Sequence, residues 1–64
     1  MNWDAFFKAM IAEEHAAYNK YAAAAQETDD PALKKLLEQF QYEENVHADL
    51  LETEYARWRK QKAS

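Results

Sequence analysis

No residue of this 64-residue chain is glycine, and the single proline stands at position 31. Such a chain has few ways to turn, because tight turns draw on glycine for positive φ and on proline for a preset φ. Two stretches, residues 2–27 and 31–62, run without an interior breaker and are rich in Ala, Leu, Glu, Lys and Gln. Both read as α-helix. Thr28-Asp29-Asp30-Pro31 separates them. Asp30 is placed to cap the second helix, and Pro31 suits its first position, where a missing N–H costs nothing. Asn2 stands as the cap of the first. With only residues 28–30 to connect them, the helices must be antiparallel neighbours, so the fold expected for residues 1–64 is all-α, an antiparallel helical hairpin. The lack of glycine also excludes phosphate loops and dinucleotide fingerprints, whose backbones approach their ligands through it.

A core this small is marginal without a staple. With no cysteine, the staple has to be a metal, a partner chain or unusually good helix packing. Thirteen residues are alanine, which buries little area, so packing mass falls to nine aromatics and a few Leu, Ile, Val and Met. The net charge is −4, with all 12 acids and four bases in residues 1–56. Arg57, Arg59, Lys60 and Lys62 follow, and they complement a helix C-terminus. This balance argues against a nucleic-acid partner, and no apolar run reaches membrane-spanning length. No membrane association and a cytoplasmic protein are expected.

The inner face of each helix carries the chemical information. A 3–4 spacing selects Trp3, Phe7, Met10, Glu14, Ala17, Tyr21, Ala24 and Thr28 in the first. In the second it selects Leu33, Leu37, Phe40, Glu44, His47, Leu51, Glu54 and Trp58. Both stripes are apolar on either side of a polar interruption. Ile11, Tyr18, Ala25, Leu36 and Leu50 widen the apolar surface, which predicts a second face to bury against another hairpin.

The interruptions coincide. Glu14 and Glu44 lie symmetrically about the turn, so an antiparallel hairpin brings them to one level. His47, three residues after Glu44, leans over the same turn of helix. Buried carboxylates need a partner, a proton or a metal, and neither stripe holds Lys or Arg. Glu14, Glu44 and His47 are therefore candidate metal ligands and form half of a hard-metal site. A two-fold related copy completes it with four Glu and two His, the ligand set of di-iron carboxylate bundles. Glu13 and Glu43 adjoin the chosen pair, and either can serve as a ligand or as a group that orients one. Tyr21, two turns beyond Glu14, either hydrogen-bonds a ligand carboxylate or packs as a core aromatic. His15 reads as solvated, and Glu54 as surface or a secondary cation site.

Three segments carry a family resemblance: Glu14-His-Ala-Ala17-Tyr-Asn-Lys-Tyr21, Thr28-Asp-Asp-Pro31 and Glu43-Glu44-Asn-Val-His47. Together they resemble the ferritin-like superfamily, in particular its rubrerythrin-like branch, over about residues 7–55. That branch carries Glu-x-x-Ala-x-x-x-Tyr on one helix and Glu-Glu-x-x-His on the next, twice per four-helix chain. One copy here is similar to a half-domain, as in the two-helix encapsulated ferritins. The resemblance implies a homodimer or higher homo-oligomer forming a ferritin-like four-helix bundle, with Glu14, Glu44 and His47 as ligands and Tyr21 beside them. It implies two iron ions per dimer and chemistry with O2 or H2O2, as ferrous iron oxidation or peroxide reduction. Manganese and zinc suit the same donors. The alternative from another class is a non-catalytic helical dimerisation module whose buried Glu/His layer sets register.

Overall fold

The computed structural model describes residues 1–63, and among them it contains two helices and no strand. Helix α1 is Trp3–Glu27 and helix α2 is Pro31–Ala63. Asn2 stays outside α1 with extended backbone, and its Oδ1 accepts from the Ala5 N–H at 3.0 Å. Asp30 does the same for α2, accepting from Ala32 and Leu33 N–H at 3.0 and 3.3 Å. Each cap satisfies amide donors that have no partner within the helix.

The connection is made without any left-handed residue among those described, as a chain lacking glycine requires. Thr28 leaves α1 with extended backbone while its N–H still reaches the Ala24 carbonyl at 3.1 Å. Its Oγ1 then accepts from Asp30 N–H at 3.1 Å, which sets up the second cap. Lys34 closes the corner by donating its ammonium to the Ala25 carbonyl at 3.0 Å. That bond places a cation at the carbonyl end of α1, where the helix dipole favours it.

The two helices pack side by side into a rod of 52 × 15 × 14 Å. Aromatics hold it near both ends. Phe7 stacks on Tyr55 with centroids 5.3 Å apart and leans on Trp58 at 6.1 Å, while Tyr21 meets Phe40 at 5.4 Å near the turn. Phe7, Ala25 and Ala48 are the hydrophobic residues fully buried among those described. Two are alanines, which let the backbones approach closely.

On α2 the buried stripe is rotated from the one that strict spacing selects. Ala48 and Tyr55 turn inward, whereas His47 and Glu54 sit on the flank. A 3–4 spacing fits Glu44, Ala48, Leu51, Tyr55 and Trp58 as well as it fits the stripe through His47 and Glu54, and packing against α1 selects the first. Leu33, Leu36 and Leu50 share the flank with His47 and are 42%, 44% and 64% exposed. The chain exposes 4994 Å², against the roughly 4,200 Å² of a compact monomer of this mass. These leucines are thus only partly packed inside the chain.

Two substitutions test this packing by thermal or denaturant unfolding. Ala48→Leu overfills the closest approach and is expected to cost about 1–3 kcal/mol. Asp30→Ala removes the α2 cap and is expected to cost about 1 kcal/mol, with Asp29→Ala, whose side chain caps nothing, near neutral.

Candidate metal centre

Glu14 sits in the middle of α1, with Glu44 and His47 in the middle of α2. Each offers one donor atom, and the three atoms lie within 4.8 Å of one another. The His47 Nδ1 faces inward, 3.4 Å from Glu14 Oε2 and 4.0 Å from Glu44 Oε2. The carboxylates are largely enclosed, with side chains 17% and 20% exposed, while the imidazole is 55% exposed. The cluster is therefore closed toward the helix seam and open toward the apolar flank.

Glu14 Oε2 is buried and accepts no hydrogen bond. Its contact with His47 is an ion pair only when the imidazole is protonated. Glu44 is held above the ordinary carboxylate range, chiefly because its protonated form hydrogen-bonds to Glu14. Partial burial and the Glu14 charge act in the same direction, and His47 opposes them. Two carboxylates facing each other in a seam favour keeping one proton between them, or a cation in its place. Two oxygen donors and one imidazole suit a hard or borderline divalent metal.

The surroundings add negative charge. Residues 9–17 and 42–54, which flank the cluster, hold Glu13, Glu14, Glu43, Glu44, Asp49, Glu52 and Glu54 and no Lys or Arg. Such a field concentrates cations near the site. Glu13 and Glu43 are exposed beside the ligand candidates.

Other residues singled out in the sequence have different partners. Tyr21 packs its ring on Phe40, and among the described residues its hydroxyl makes no hydrogen bond to Glu14. His15 is not simply solvated: its Nε2 meets Glu52 Oε1 at 2.9 Å, bridging the helices on the side opposite the apolar flank. Glu54 is engaged by Arg57, with both carboxylate oxygens 3.0 Å from Nε, and that guanidinium holds its carboxyl below the usual range. Arg57 thus occupies the Glu54 carboxylate in an exposed surface pair.

Spacing alone did not single out Tyr55 or Asp4. The Tyr55 hydroxyl donates to Asp4, joining residues 51 positions apart at the open end of the hairpin. A one-step rotation of the α2 stripe, placing Ala48 and Tyr55 inward, carries that signal. Comparison with known protein families, curated proteins and solved structures finds no match, so what the cluster does rests on its own chemistry.

The raised Glu44 pKa has a sign in stability. The folded state binds this proton more tightly than the unfolded chain does, relative to the ordinary value of 4.5. Its contribution is fully present below that value and is lost as pH rises through the raised folded pKa. Glu44→Gln should flatten this dependence and raise the melting temperature of the metal-free protein at pH 7. Circular-dichroism melts from pH 4 to 8 read both effects.

Proposed function

We propose that the chain is a half-site of a di-iron carboxylate protein, completed by a second copy to a four-helix bundle of the ferritin-like type. Its activity is the oxidation of ferrous iron or the reduction of peroxide, that of a ferroxidase or a peroxidase-type oxidoreductase. The observation that carries this reading is the buried, unbonded Glu14 oxygen held against the Glu44 carboxyl and the inward-facing His47 nitrogen. A bare carboxylate pair in a packed seam is unfavourable, and a divalent cation removes both the repulsion and the unmet acceptor.

Glu14 and Glu44 would supply the oxygen donors and His47 the imidazole nitrogen. Two copies bring four carboxylates, which balance the charge of two divalent ions. The chemistry that iron would bring to these residues is electron donation to O2 or peroxide. Around it the acidic residues draw cations inward, and the apolar flank is available to exclude water once a second hairpin covers Leu33, Leu36 and Leu50. A chain without cysteine carries no thiolate-bound iron for electron delivery, so peroxide turnover would draw on an external reductant. Manganese or zinc would satisfy the same donors without changing the residue roles.

Protein produced with iron is expected to hold about one iron per chain and to sediment as a dimer or larger. Glu44→Ala and His47→Ala should lose the metal while retaining helicity. Adding ferrous ion anaerobically to about 100 times its Kd should stabilise the protein by about 2.7 kcal/mol, reversed by a chelator. Metal-free protein whose melting ignores both ferrous ion and chelator would overturn the proposal and leave the Glu/His layer as a device for helix register.

A further inference from the structure

The chain has four tyrosines, Tyr18, Tyr21, Tyr42 and Tyr55. Among the described residues, Tyr55 alone hydrogen-bonds its hydroxyl to a carboxylate, that of Asp4. Lys8 holds the other Asp4 oxygen at 3.0 Å, so the acceptor is fixed in place. The Tyr55 ring is half-buried, stacked on Phe7 at 5.3 Å and on Trp58 at 6.3 Å with an interplanar angle of 24°.

Trp58 leads outward. With Asp4, Arg59 and Lys62 it lines an open depression of about 380 Å³. Arg59 lies 5.4 Å above the Tyr55 ring and Lys62 lies 5.0 Å above the indole. Neither cation is paired with a carboxylate among the described residues, unlike Lys8 and Arg57. A clasp closing the end of the hairpin needs the Tyr55–Asp4 bond alone. It does not need an indole stacked behind the phenol, or Arg59 and Lys62 seated over the two rings beside the depression.

Phenols are hard to oxidise at neutral pH unless the proton leaves with the electron, so a fixed base on the hydroxyl selects which tyrosine reacts. We infer that Tyr55 is a proton-coupled redox site. A strong one-electron oxidant removes one electron from the phenol, the O–H bond breaks, and the proton passes to Asp4 Oδ1, leaving a neutral tyrosyl radical. An anionic one-electron reductant, drawn to the depression by Arg59 and Lys62, returns the electron through Trp58, and Asp4 returns the proton. In the working protein this relay rests on the proposed function, whose activity would supply the strong one-electron oxidant. Tyr55 is eight residues from His47, roughly 12 Å along α2.

The test needs no metal. Photogenerated tris(bipyridine)ruthenium(III) is used to oxidise the metal-free full chain at neutral pH without buffer base, and the radical is read by electron paramagnetic resonance. Wild type should give a tyrosyl signal that Tyr55→Phe loses. That variant keeps its stacking ring, and its helicity is checked by circular dichroism. Asp4→Asn should give the signal only when a buffer base is added. Ferrocyanide should quench the radical faster than neutral ferrocenemethanol at low salt, and Arg59→Glu with Lys62→Glu should remove the difference. An undiminished signal in folded Tyr55→Phe, or a signal indifferent to Asp4→Asn, overturns the assignment. Equal quenching by the two reductants in wild type overturns the anionic port. Because the assay contains no iron, failure of metal binding and failure of the relay are read separately.

Discussion

Two carboxylates pressed together in a helix seam, Glu14 against Glu44, govern how the rest of this protein can be understood. The surrounding hairpin has few means of offsetting them. It offers no Lys or Arg at that level, and the His47 imidazole beside them is half in solvent. Glu44 responds by holding its proton above the normal range. A fold that places such a pair at its centre is destabilised there when both groups are ionised.

The remaining packing is distributed around that weak centre. Aromatic contacts hold both ends, with Phe7, Tyr55 and Trp58 at one and Tyr21 with Phe40 at the other. Small residues such as Ala48 bring the helices close enough for donors from both to converge. The two flanks of the rod differ in character. One carries the His15–Glu52 bridge, and the other carries the open side of the His47 imidazole with exposed Leu36 and Leu50 beside the Glu54–Arg57 pair. Exposed apolar side chains and the open side of the donor set lie on the same flank.

Much of this was legible from residue order. The absence of glycine, the caps at Asn2 and Asp30 and the lone Pro31 dictate two helices and one corner through local backbone preferences. The convergence of Glu14, Glu44 and His47 follows from their symmetry about that corner. The rotation of α2 was not legible, because a 3–4 spacing cannot distinguish a stripe through His47 and Glu54 from one through Ala48 and Tyr55. Both are compatible with a helix, and only close packing against α1 selects the second. Of the two readings of Tyr21, core packing is the one seen, with its ring set against Phe40 across the seam.

The sequence by itself determined the helices, the antiparallel pairing and the level at which the acidic donors meet, since these depend on backbone propensity and counting along the chain. Tertiary structure decided which side chains face inward, which Glu14 oxygen is left without a donor, and that Tyr55 rather than another tyrosine holds a carboxylate 51 residues away. Those outcomes depend on helix rotation and side-chain reach in three dimensions, to which a one-dimensional period is blind.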